Sequence, residues 1–367
     1  MRTINGSPSH VLSTPEVELA VTATAGHLAP VTFHLPSGDF SPYSVSPWTP
    51  DEAGSALPPL LVHLRGDFLC LPFGGQDAGP PHGDVANAAW ALKSSGPRHM
   101  TMDQSGKDTG SARDQDHLGR ARPPCRLRRA HRARARRTVE LRHASDPRSL
   151  GRARRRSARL GGPFRWGSVY HKEFSDPASG ESGALRPGAR FTDLSKVPAK
   201  DGTLADLTRY PARKGNDDLV MMVSEPETEA RPFGWSAVCF PGKIWFALKN
   251  VADFPATLFW ISNGGRPGAP WNSRHLGRLG VEEVCSHFCD GVTDARKDLL
   301  ASEGIPTSRA FRAKETVRLP VIQGAVAVPS DFGKVASIAA DGPSHIRITG
   351  ESGQTVRPPV NWKFLKR

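Results

Sequence analysis

Apolar residues in this chain alternate with polar ones or gather in short runs, and turn-forming residues close each run. Such a pattern reads as β-strand, not helix. Toward the N-terminus it is carried by VELAVTATAG, APVTFHLPSG and LPPLLVHLRGDFLCLPFGG. It returns in DDLVMMVSE, GWSAVCF, KIWFALKN, ATLFWISN, RLGVEEVCSHF, TVRLPVIQGAVAVP and HIRITG. Helical periodicity is weak, and its best stretch runs around Ala295 to Ser302. No repeat of fixed period is present. The pattern predicts an all-β fold.

Composition supports that expectation and then breaks it in one place. Gly 36 and Pro 33 make about a fifth of the 367 residues, which suits many short strands joined by turns. Between Arg120 and Arg159, however, stand sixteen arginines, no lysine, and only two acids, Glu140 and Asp146. That stretch carries +14 against +13 for the whole chain, so the remainder sums to −1. From Ala91 to Pro163 there is no Phe, Trp, Tyr or Ile, and Val139 is the only valine. Material of this kind is expected neither to bury a core nor to build strands. The chain therefore divides into 1–106, the first part of an all-β domain; 107–163, a disordered or aberrant Arg-rich segment; and 164–367, the rest of the same domain.

Three readings of the segment compete. It is a nucleic-acid arm that neutralises phosphates, a solvated linker, or the product of a shifted reading frame in a GC-rich gene. Arg113-Asp114-Gln115-Asp116-His117-Leu118 can be encoded so that a one-nucleotide shift reads Val-Thr-Lys-Thr-Ile, a strand pattern. The missing lysines favour the frame shift, because electrostatic arms normally mix both cations. Nucleic acid is the partner least supported.

Other features narrow the setting. No apolar run approaches the roughly 20 residues that span a bilayer, and the N-terminus lacks the apolar stretch of a secretory signal. Five scattered cysteines (Cys70, Cys125, Cys239, Cys285, Cys289) suit a reduced, cytoplasmic interior better than a disulfide framework. Oligomeric state leaves no mark in the sequence.

Candidate chemistry lies in both flanks. LCLPFGGQDAGPPHGDVANAAW, Leu69 to Trp90, places an imidazole, His82, near a strand edge and an aromatic wall. LFWISNGGRPGAPWNSRHLGRLGVEEVCSHF, Leu258 to Phe288, gathers Trp260, Asn263, Arg266, Trp271, Asn272, Arg274 and His275 with Glu282 and Glu283. Polar groups for hydroxyls beside an aromatic face for C–H bonds are the makings of a sugar site. Asn263, Arg266 and Trp271 are the candidate substrate contacts there.

The strings PHGDVANAAW, RLGVEEVCSHF and VELAVTATAGHLAPVTFHLPSG resemble the galactose-mutarotase-like superfamily, the group of aldose 1-epimerases and hexose-phosphate epimerases. The resemblance covers Val17 to Trp90 and Phe164 to Leu365, about three-quarters of the chain. It implies a large twisted antiparallel β-sandwich, a small-molecule sugar or sugar phosphate as partner, and acid–base chemistry at the anomeric carbon without a cofactor. By motif position Glu282 matches the base, and His82 matches the histidine that holds and polarises the sugar. Arg65, one strand earlier, is placed to contact a hydroxyl or phosphate. The family's second histidine falls in the Arg-rich middle, where neither His131 nor His143 has a supporting pattern. The activity implied is anomer interconversion, impaired here by that loss; a non-catalytic carbohydrate-binding module is the alternative.

Each residue also has a plainer reading. Glu282 is an ordinary strand acid, with Glu283 turned to the opposite face by strand alternation. His82 belongs to a turn, Arg65 pins a hairpin, and Trp260 and Trp271 pack. Cys285, His287 and Cys289 would share one face of a strand, but a tetrahedral metal needs a fourth ligand and no Cys-x-x-Cys supplies one. No metal is expected.

Overall fold

The computed structural model describes residues 1–77, 79–105, 126–132, 158–172, 175–176, 180–309 and 317–366. Every strand pairing among them is antiparallel. The all-β expectation holds. Among the described residues no helix is long and apolar enough to cross a membrane.

Three five-stranded sheets form the body. The first is an N-terminal meander in sequence order: Arg2–Ile4, Ser7–Ser13, Val17–Thr22, Leu28–Leu35 and Gly38–Phe40. The second orders Arg190–Phe191, Phe164–Val169, Asp217–Ser224, Ala256–Ser262 and Arg278–Val284. The third orders Arg209–Tyr210, Ala158–Gly161, Gly234–Phe240, Lys243–Lys249 and Val321–Ala327. Asp217–Ser224 is central, and every one of its residues is buried. Both of its faces are covered, so its sequence DDLVMMVS is continuously apolar in the middle instead of alternating.

Alternation along these strands splits the apolar side chains between clusters. Val220, Met222, Phe259 and Ile261 of the second sheet meet Trp245, Ala247 and Ala325 of the third in one core, closed by Val31, Phe33, Met100 and Met102. Leu219, Met221 and Leu258 face the other way and pack with Phe288, Leu300 and Ile305. Ile244, Phe246 and Leu248 pack with Ile338, Ile346 and Ile348 of a C-terminal three-stranded sheet.

One charge pair crosses between the sheets. The Lys249 ammonium is 1% exposed and is paired with Glu283, 7% exposed. The ammonium also donates to the Ala256 carbonyl (2.8 Å) and to Thr257 Oγ1 (2.7 Å). Glu283 accepts from Ser236 Oγ (2.9 Å) and Thr257 Oγ1 (2.7 Å). Both charges are thus hydrogen-bonded on several sides, the condition under which a buried pair is tolerated.

The structure corrects several expectations. LPPLLVHLRGDFLCLPFGG is not a strand. Pro58 and Pro59 open a single helical turn, Pro59–Val62, because a proline without N–H is at home where a helix begins. Beyond it only the isolated bridges Leu28↔Asp67 and Val45↔Arg65 remain. The stretch poor in strand-formers does build strands: Ala91–Gly96 and His99–Ser105 form a hairpin joined by Arg126–Arg132. Methionine supplies the apolar weight there, with Met100 and Met102 buried in the main core. Ala158–Gly161 pairs with Gly234–Phe240 and carries the buried Leu160, so the sandwich resumes ahead of residue 164.

Replacing Lys249 with Met leaves Glu283 buried without its cation. Chemical denaturation is expected to show a loss of about 3–5 kcal/mol. The double variant K249M/E283Q is expected to recover most of it.

Candidate functional site

Glu282 and Glu283 sit on the edge strand Arg278–Val284, opposite Leu258 and Thr257 respectively. The pleat sends them to opposite faces, as expected. Glu283 joins Lys249 between the sheets, and Glu282 lies on the other face, opposite Leu258 of the Phe288 cluster. Its carboxyl lies back over Gly280, where an added Cβ would stand 2.6 Å from Oε1. Burial, with the nearby Asp67 carboxylate adding to it, pushes Glu282 up to about 7.

Asp67 was not singled out from the sequence. It accepts from Gln323 Nε2 (3.3 Å), whose Oε1 accepts from Tyr43 Oη (2.5 Å), which in turn accepts from Trp245 Nε1 (3.2 Å). This relay joins residues more than 200 positions apart, so no local pattern reveals it.

His82 lies at the PPHG turn with φ +62. Its Nδ1 accepts the Gly74 N–H at 3.3 Å, which leaves the proton on Nε2. Its ring stands edge-on to Phe73 and Phe68, at 5.0 and 6.0 Å. Burial holds it down at about 4, so near neutral pH it is an uncharged donor. The loop carrying it is docked by backbone contact to the turn after the Glu282 strand. The Gly75 N–H donates to the Cys289 carbonyl at 3.1 Å. A Cβ on Gly74 would lie 2.3 Å from that same oxygen, so only glycine allows the approach. Burial chiefly raises the Cys289 thiol to about 11, and both Asp290 and Glu282 contribute. The loop and the carboxylate therefore meet around Cys289.

The other candidates fall elsewhere. Arg65 is 3% exposed and holds the N-terminal hairpin, donating to the carbonyls of Ile4 (2.9 Å), Asn5 (3.2 Å) and His63 (3.2 Å) and to Ser7 Oγ (2.7 Å). The hairpin-pinning role accounts for these donors. Asn263, Arg266 and Trp271 do gather, around the buried Asp217. That carboxylate accepts from the backbone N–H of Asn263 (3.0 Å) and of Gly265 (2.9 Å), from Ser262 Oγ (2.8 Å) and from Arg266 Nε (3.2 Å). The Asn263 amide is held by the Gly277 N–H and the Arg213 carbonyl. The Arg266 guanidinium lies over Trp271 at 4.6 Å and Trp260 at 5.4 Å. Trp271 is buried against Trp48, ring centroids 4.7 Å apart. Trp260 connects this cluster to Glu282, because it pairs across the sheet with Gly280.

Cys285, His287 and Cys289 do not share a strand face. The strand ends at Val284, Phe288 turns the chain at φ +49, and the Cys285 thiol points to the Pro306 carbonyl. His287 instead faces Asp290 and His171. His171 follows the strand Phe164–Val169 and lay unremarked in the sequence; an imidazole just past the end of an apolar strand was the available signal. The backbone at His131 pairs with Met100, and His143 lies outside the described residues.

No protein-family model matches the chain, and no curated protein matches it. One solved structure is similar. It is a galactose mutarotase related enzyme from Lactobacillus acidophilus, at 11% identity and a TM-score of 0.34, over 75% of this chain and 93% of that one. Similarity at this level is too loose to transfer an activity.

Because Glu282 binds its proton more tightly folded (about 7) than unfolded (about 4.5), its contribution to stability is fully present below about pH 4.5. That contribution is lost as pH rises through about 7. Glu282→Gln removes the penalty, so its melting temperature relative to the parent is expected to rise between pH 5 and pH 8. A difference that is flat with pH would contradict the placement of Glu282.

Proposed function

We propose that this chain binds an aldose, or a phosphorylated aldose, at its reducing end and interconverts the two anomers by acid–base catalysis. The observation that carries the reading is Glu282: a carboxyl raised to about 7 on an edge strand, with the loop bearing His82 docked on Cys289 in the turn that follows that strand. A general base works best with a pKa near the working pH, and burial plus a neighbouring carboxylate is the usual way to bring a carboxyl there.

In this mechanism Glu282 takes the proton of the anomeric hydroxyl. As the ring C–O bond breaks, His82 Nε2–H meets the charge growing on the ring oxygen. The aldehyde rotates, the ring closes on its other face, and Glu282 returns its proton. The two groups end as they began, so no cofactor enters. Asp67 keeps Glu282 basic, and the Tyr43–Gln323 relay fixes Asp67. The rim of Trp260, whose ring carries Arg266 at 5.4 Å and a stacked His275 at 5.5 Å, and the Arg266 guanidinium are the groups that meet the rest of the sugar.

Anomer exchange followed by polarimetry or saturation-transfer NMR on a panel of aldoses tests the reading. Exchange above the spontaneous rate is expected, with Glu282→Gln lowering it by about 10²–10⁴. The rate is expected to climb with pH through about 7, as the base form of Glu282 fills. Sugar binding without exchange would point to a carbohydrate-binding module and remove the enzyme reading.

A further inference from the structure

A second group of chemically active side chains lies beyond Cys289 and takes no part in the mechanism above. The Asp290 carboxylate has no solvent exposure and divides its two oxygens between different partners. Oδ1 accepts from Tyr170 Oη at 2.9 Å and from Lys172 Nζ at 2.8 Å. Oδ2 faces two imidazole nitrogens, His287 Nδ1 at 3.1 Å and His171 Nε2 at 3.5 Å. The three ligand-type atoms all lie within 4.8 Å of one another.

From this geometry we propose that His171, His287 and Asp290 form a divalent transition-metal site of the zinc class, with a fourth position open to solvent. Metal–ligand bonds of about 2.0–2.1 Å on a tetrahedral ion put neighbouring donor atoms about 3.3 Å apart. The two nitrogen–Oδ2 separations bracket that value. Side-chain exposure grades across the site from Asp290 at 0% through His287 at 11% to His171 at 37%. One side is therefore closed by protein and the other open, the arrangement of three-ligand sites that keep a water or substrate position. His171 is the member with room to turn toward a bound ion. Tyr170 and Lys172 hold Oδ1 and thereby aim Oδ2, as outer partners of metal carboxylates do. Imidazole and carboxylate ligands select zinc, cobalt or iron over calcium and magnesium. This site uses neither Glu282 nor His82, so it stands or falls apart from the sugar reading.

The plainer account of the same contacts is two imidazoles hydrogen-bonded to one carboxylate oxygen. Titrating the purified full-length protein with Co²⁺ separates the two. The proposal expects one ion per chain and a visible d–d spectrum of tetrahedral or five-coordinate strength, without a near-ultraviolet thiolate charge-transfer band. His171→Ala is expected to weaken binding at least about tenfold. Cys289→Ser is expected to leave it unchanged. His171 is exposed, so its variant should fold, and circular dichroism checks this. Absence of saturable Co²⁺ binding overturns the proposal. Binding indifferent to H171A, or a thiolate band lost in C289S, overturns the ligand assignment.

Discussion

The structure turns on a buried ammonium and carboxylate that meet between two sheets. Lys249 and Glu283 come from strands of different sheets, and each would be strongly unfavourable in the interior without the other. Their contact therefore fixes how one sheet is seated on its neighbour. It also holds the register of the edge strand Arg278–Val284, because a slip by one residue would send Glu283 to the other face and away from Lys249. The placing of Glu282 on the opposite face is a consequence of where Glu283 must be. A structural pair and a candidate catalytic group thus share a dipeptide, divided only by the pleat.

The opposite face gives Glu282 a different environment, because burial there raises its carboxyl. Glu282 lies against Gly280, and burial disfavours its charged form. A second carboxylate, Asp67, stands in range. Low solvation and like charge act in the same direction here, whereas Glu283 one residue away accepts from an ammonium and two hydroxyls. Two neighbouring acids in one strand are thereby given opposite electrostatic tasks.

Much of this was legible in the sequence. The apolar runs at 217–224, 234–240, 243–249 and 256–262 became strands to within a residue, because buried β-strands announce themselves by composition alone. The opposite facing of Glu282 and Glu283 followed from alternation. Failures came where another force decided. The tandem prolines at 58–59 overrode an apolar run, and Phe288 reversed the chain before Cys289 could align with Cys285. Met100 and Met102 carried burial through a stretch whose lack of Ile and aromatics had argued against strands. Arg65, placed in the sequence to contact a hydroxyl or phosphate, has its guanidinium on the carbonyls of the N-terminal hairpin. The Asp67–Gln323–Tyr43 relay and the His171–Asp290 contact join distant segments, and one sequence holds no signal for such pairs.

The interlocking of two loops has a further consequence. Gly74 and Gly75 lie directly on the Cys289 carbonyl, and Gly291 lies so close to the Gly75 carbonyl that an added Cβ would sit 1.9 Å from it. Main chain rests on main chain, with no side chain between to absorb a change. The segment bearing His82 and the segment bearing His287 and Asp290 are therefore coupled in their evolution. An insertion or deletion in either would uncouple both, so lineages of this fold should vary the two segments together or preserve both lengths.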